Sequence, residues 1–174
     1  MREMIYDFAT HSLYYENQDI DIPSFSLTID TLEMVFELKT GRLLYIQGFF
    51  PLIRATQSNI CLPACTRGNY LLHNFDLSAC NQNGVYDLIK KIPQTRKYFE
   101  KISVKYDEKK GIIQIGEKMG ERGIVIEVDS NILCGLDQNR DLQCVYIIPT
   151  RFKKSNSFGK GSVRNGKTES ENIL

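Results

Sequence analysis

The sequence predicts a mainly β domain, with α+β as the alternative: an antiparallel, meander-like sheet or a partly closed barrel with at most one or two short helices. Three observations predict it. Several short segments alternate apolar and polar residues with period two, the mark of a strand with one face in a core and one in water. Compact turn signals separate those segments. Among the 174 residues there are nine Phe and nine Tyr but no Trp, a balance suited to pleated, half-buried surfaces. This length favours one domain with a sizeable core.

Met1 to Pro23 is polar and aromatic without steady periodicity, and reads as an irregular N-terminal segment. The first clear strand is Phe25 to Asp30, where Phe25, Leu27 and Ile29 alternate with polar residues. The next buries Met34, Phe36 and Leu38, and Lys39-Thr40-Gly41 reads as a tight hairpin loop in which Gly41 supplies a positive φ. Arg42 to Phe50 returns as a central strand. Pro51 to Gly68 reads as a long loop and Asn69 to Asp76 as another strand. Val85, Leu88, Ile89 and Ile92 fall at helical spacing, in a helix cut short by Pro93. In the last third, Ile102, Val104 and Tyr106 alternate, Glu108-Lys109-Lys110-Gly111 turns the chain, and Ile112 to Ile115 returns. Gly123 to Val128, Asn131 to Leu136 and Leu142 to Ile148 follow as strands, with Asp137 to Asp141 as a loop. No internal repeat or heptad pattern stands out. After Arg151 the composition shifts to Ser, Asn, Gly and Lys, which places the domain at residues 1–150 and a basic, disordered tail at 151–174.

The net charge of +1 hides an asymmetry. Residues 1–150 hold 16 basic and 19 acidic residues, a net charge of −3, and the tail holds six basic and two acidic ones, a net charge of +4. A mildly acidic body lacks the basic excess of a nucleic-acid-binding domain, so contact with nucleic acid is expected at most through the tail. Met1-Arg2-Glu3-Met4 leads into no apolar signal region, and no run approaches the ~18 apolar residues of a membrane span. Five scattered cysteines complete the expectation of a cytoplasmic protein with reduced thiols.

Catalytic chemistry finds little to work with. Cys61, Cys65, His73 and Cys80 supply four soft ligands within twenty residues, but the spacing matches no zinc pattern and His73 reads as a strand residue. Cys134 and Cys144 read as small buried hydrophobes. Only His11 and His73 offer an imidazole, and no local signature pairs either with a nucleophile. Gly116 to Gly123 is glycine-rich but lacks the order of a phosphate-binding loop and joins two strands. No catalytic residue, metal or cofactor is therefore expected, and a small hydrolase-like enzyme or a zinc-stabilised interaction module stays as the alternative.

Features suited to recognition remain. Gly48-Phe49-Phe50-Pro51 leaves a strand with two large aromatics and is followed by Leu52, Ile53 and Arg54; aromatics beside an arginine are typical interface anchors, or else they cap the core. Glu16, Asp19 and Asp21, with Asp137 and Asp141, are acidic candidates for facing a basic partner, or else occupy solvated turns.

The segment Asp30 to Pro51, with its Thr40-Gly41 turn and Gly48-Phe49-Phe50-Pro51 corner, together with the closing run Gly123-Ile124-Val125-Ile126-Glu127-Val128 and Asn131-Ile132-Leu133, resembles a known group. These are small β-rich bacterial proteins encoded beside contact-dependent or polymorphic toxins, where they serve as immunity proteins. The resemblance spans about residues 25–150, leaves out the tail and carries over no functional residue. It implies a protein with no catalysis of its own that neutralises a toxin domain by covering its active site or an essential surface. A mildly acidic body would complement a basic nuclease toxin chiefly by raising the association rate.

Overall fold

The computed structural model describes residues 3–17, 21–73, 75–87, 103–117 and 122–154. Within them the chain is mainly β, in two seven-stranded mixed sheets that do not close into a barrel. The first sheet begins with a hairpin, β1 (Glu3–Asp7) and β2 (Ser12–Glu16), and a meander, β3 (Ser24–Ile29), β4 (Leu32–Glu37) and β5 (Leu43–Phe49). A short 3₁₀ turn, Leu52–Arg54, leads to β6 (Thr56–Gln57), β7 (Thr66–Arg67), a second such turn at Leu77–Ala79, and β8 (Val85–Asp87). The second sheet again has a hairpin, β9 (Val104–Asp107) and β10 (Ile112–Gly116), and a meander, β11 (Ile124–Asp129), β12 (Ile132–Leu136) and β13 (Leu142–Ile147), before β14 (Arg151–Lys153) ends the described chain.

The strand orders are β14-β1-β2-β5-β4-β3-β8 and β6-β9-β10-β13-β12-β11-β7. They are the same order, because the chain makes the same fold twice. Tyr6 pairs with Leu13 and Tyr106 with Ile113, a shift of 100 positions on both strands. Ile29 pairs with Leu32 and Asp129 with Ile132, again 100 apart. In the last hairpin Phe36 pairs with Leu43 and Leu136 with Leu142, and both copies carry a bulge at the preceding pair. The outermost strands complete the correspondence, and all of them except β8 come from the other half. β14, from the C-terminal half, lies parallel to β1, and β6, from the N-terminal half, lies parallel to β9.

Alternation explains the core. Met4, Tyr6, Leu13, Phe25, Leu27, Met34 and Phe36 of the first sheet share one buried cluster with Ile113, Ile115, Ile126, Cys134, Val145 and Ile147 of the second. The outer face of the second sheet holds a smaller cluster, in which Ile60, from the segment after β6, covers Ile112, Leu133, Cys144 and Tyr146. That segment is clamped by Asp107, whose Oδ2 accepts the Ile60 N–H at 2.9 Å, while the Lys110 ammonium donates to the Ile60 carbonyl at 2.8 Å and to Asn59 Oδ1 at 2.7 Å.

Several sequence expectations change. The N-terminal segment is a hairpin, hidden because Met4, Ile5 and Tyr6 are all buried and so do not alternate. Among the described residues of Asn69 to Asp76 there is no strand, and Leu71 makes a single bridge to Arg42. Val85–Asp87 is an edge strand rather than the start of a helix, and residues 88–92 lie outside the described residues. The boundary expected at residue 150 moves outward: Arg151–Lys153 joins the first sheet because Phe152 is an apolar anchor between two basic residues, a composition that reads as tail. Residues 155–174 lie outside the described residues. Among the described residues no helix is long and apolar enough to cross a membrane.

Candidate functional site

The corner after β5 is built from the strand ends around it. Gly48 closes the strand at φ +127°, a conformation a side chain rarely adopts, and a Cβ there would lie 2.5 Å from the Thr31 carbonyl oxygen. The Thr31 hydroxyl donates to the Phe49 carbonyl. In the second half the Asn131 amide donates to the Ile148 carbonyl at 2.7 Å, so both corners are pinned from the preceding turn. Phe50 turns inward and is buried, its N–H donating to the His11 carbonyl at 2.6 Å. Phe49 turns outward, 49% exposed, with the His11 ring edge-on at 6.2 Å. His11 Nδ1 is buried with no hydrogen-bond partner among the described residues.

Beyond Pro51 the two copies part. Phe152 of β14 pairs with Tyr6, and Gln57 of β6 pairs with Tyr106. Three residues therefore carry the chain from Pro149 to Phe152, against six from Pro51 to Gln57. The three additional residues are Leu52–Arg54, the 3₁₀ turn itself. Tyr6 fixes this turn: its buried hydroxyl donates to the Phe50 carbonyl at 2.8 Å and accepts the Leu52 N–H at 3.1 Å. Burial and the nearby Asp7 carboxylate raise the phenol pKa, partly offset by the Leu52 N–H, so at neutral pH Tyr6 stays a donor. Leu52 is buried, while Ile53 is 84% exposed and Arg54 is exposed beside it. Next to the turn lies a cavity of about 410 Å³, walled by Ile29, Phe50, Pro51 and Val104, with Asp30, Arg54 and Asp87 on its polar side.

The sequence candidates distribute unevenly. Phe49, Phe50 and Arg54 meet at this corner, with Phe49 and Arg54 outward and Phe50 as a core cap. Glu16 serves the scaffold instead: from β2 its carboxylate reaches across β1 to Arg151 at 3.0 Å and Lys153 at 3.8 Å, fastening β14 to the sheet. Asp137 shapes its own loop, accepting the N–H groups of Asn139 at 2.8 Å and Asp141 at 2.9 Å. Asp141 belongs to that same turn. Asp21 is exposed ahead of β3, and Asp19 lies outside the described residues. Cys61, Cys65 and His73 are exposed and Cys80 is buried. Cys65 Sγ lies 3.8 Å from a Glu127 carboxylate oxygen. Among the described residues no group of three His, Cys, Asp or Glu side chains is placed to hold a metal ion. Cys134 and Cys144 are fully buried, as expected of small hydrophobes, and burial raises the Cys134 thiol pKa far above its ordinary value.

Sequence reasoning missed Tyr6 and His11 as parts of the corner, and placed Ile53 there without choosing it as a contact. The signal was present in the alignment of the chain with itself: Tyr6-Asp7 matches Tyr106-Asp107, Pro51 matches Pro149, and the three residues after Pro51 are what fails to match. No protein-family model matches the chain, and no curated protein matches it.

Proposed function

We propose that the chain is a protein-binding module that neutralises a toxin domain by direct contact, as the immunity proteins it resembles do, and that the corner at Phe49, Ile53 and Arg54 is its principal contact. One observation carries the placement of that contact. The second half makes the same crossover without Leu52–Arg54, so the fold does not require the turn, yet the first half tethers it through the Tyr6 hydroxyl and leaves Ile53 84% exposed. An aliphatic side chain this exposed, next to a half-exposed Phe and an Arg, has the composition of an interface hot spot. The reading needs no catalysis, and the nearby cavity gives a partner side chain somewhere to insert.

The test is capture of the product of the adjacent reading frame by the purified chain, followed by titration with Ile53→Asp and Phe49→Ala variants. Hot-spot truncations cost about 2 kcal/mol or more, or roughly thirty-fold in Kd. Failure to capture that product sinks the immunity reading. Capture with unchanged affinity in both variants moves the contact away from this corner.

A further inference from the structure

We infer that the two halves of the chain are obligate partners: each is an incomplete subunit whose sheet is finished by strands from the other, and the whole behaves as a two-fold pair joined by a linker. The inference is independent of what the corner binds.

The exchange runs in both directions. The C-terminal half gives β14 to the first sheet, where it pairs with β1 through Ile5–Arg151, Tyr6–Phe152 and Asp7–Lys153. The N-terminal half gives two strands to the second sheet, β6 at one edge against β9 and β7 at the other against β11. Both edges of the second sheet are therefore supplied by the first half. Hydrogen bonds fasten each exchange beyond the ladder: Thr150 N–H to the Met4 carbonyl at 2.8 Å, Ser58 N–H to the Tyr106 carbonyl at 3.0 Å, and Gly68 N–H to the Glu127 carbonyl at 3.0 Å.

Phe152 is the meeting point. Its ring lies 6.0 Å from Tyr6 and 5.8 Å from Phe8 in one half, and 6.2 Å from Tyr106 in the other. Tyr6 and Tyr106 are equivalent residues 100 positions apart, so one exchanged side chain touches both copies of the same position. Gly111, at φ +66°, lies so near this ring that a Cβ would meet Phe152 at 2.8 Å. Its counterpart His11 takes φ +52°; a histidine fits there, and only the absence of a side chain fits at Gly111.

Neither half alone could hide its apolar face. The main core takes its residues from both sheets, so separating them would expose the whole inner face of each. It would also leave β1, β9 and β11 as unpaired edges, the condition that drives strand addition or aggregation.

A protease site inserted between Gln94 and Thr95 tests this on the full chain. After cleavage of the folded protein, the two pieces should co-elute as one complex at micromolar concentration. Unfolded in denaturant and mixed, they should regain the intact β circular dichroism, and neither should regain it alone. As a second route that needs no inserted site, residues 1–94 and 95–174 should form the same complex when co-expressed as separate chains. In the cut protein Phe152→Ala should weaken the complex at least ten-fold, because association is then bimolecular. Either piece folding alone to a native spectrum, or the pieces separating once cut, overturns the inference.

Discussion

Replacing Tyr6 by Phe removes one oxygen atom and leaves the shape of the core unchanged. The ring is fully buried, so the loss falls on its two hydrogen-bond partners, the Phe50 carbonyl at 2.8 Å and the Leu52 N–H at 3.1 Å. Both bonds are buried. Each net bond contributes about 1 kcal/mol, and a partner left unsatisfied costs about 1–3 kcal/mol, so the substitution should cost about 3 kcal/mol in total. For a chain of this size each kcal/mol lowers Tm by roughly 2–4 °C, which puts the fall at roughly 6–12 °C. The internal copy supplies the control. Tyr106 is equivalent, 6% exposed, and its hydroxyl makes no hydrogen bond to the described residues, so Tyr106→Phe should cost less than about 0.5 kcal/mol. Urea denaturation monitored by circular dichroism measures both variants. Equal losses in the two, or a loss in Tyr6→Phe under about 1 kcal/mol, would refute the idea that Tyr6 tethers the turn. The tethering also predicts weaker partner binding in Tyr6→Phe with Ile53 and Arg54 untouched.

Gly48→Ala should destabilise the fold by about 2–3 kcal/mol, since it forces a Cβ onto the Thr31 carbonyl at an unfavourable positive φ; chemical denaturation reads the loss. The Ile60 N–H, then the Lys110 backbone and ammonium, hold the Asp107 carboxyl below its ordinary 3.8. A depressed folded pKa means the clamp is present above pH 3.8 and is lost as pH falls through the lower folded value, while Asp107→Asn weakens it at every pH. Hydrogen exchange at the Ile60 amide should therefore speed up in the variant at neutral pH and in the wild type only in acid. Burial raises the phenol pKa of Tyr6, Tyr106 and Tyr146. A raised folded pKa gives stability that is present below pH 10 and lost as pH climbs above it, so alkaline unfolding should coincide with the appearance of tyrosinate absorbance.

The strands legible in the sequence are those with one wet face, or those like β10 and β12 whose apolar run is bracketed by clear turn signals. Phe25, Leu27 and Ile29 alternate because Ser24 and Thr28 face away from the core, and the strand there matches expectation almost to the residue. Legibility fails where alternation is lost without flanking turn signals to replace it, or where the strand is very short. β1 buries Met4, Ile5 and Tyr6 in succession, so no period of two is visible. β6, β7, β8 and β14 have two or three residues each, too few for any period, and their sequences carry Arg, Lys, Thr and Asp. Parallel pairing across the halves leaves no local trace either, because no turn joins the partners. The meander was written in the chain, and its sealing strands were not.

The duplication escaped notice for a related reason, and its consequence reaches the site. A sheet position constrains the face and size of a side chain far more than its identity, so Met34 and Cys134, or Leu27 and Ile126, do the same work without matching. What survives are positions with a backbone or hydrogen-bonding duty: Tyr6-Asp7 with Tyr106-Asp107, and Pro51 with Pro149. Once those anchor the comparison, each half becomes a control for the other. A feature present in both, such as the turn residue pinning each corner, belongs to the scaffold. A feature present in one half must be explained by something other than the fold. Leu52–Arg54 is such a feature, and it holds the most exposed large apolar side chain among the described residues, Ile53, beside Arg54. The corner therefore stands out without reference to any relative, and the weight of recognition shifts away from the acidic turns: Glu16 and Asp137 are occupied in holding β14 and shaping a loop.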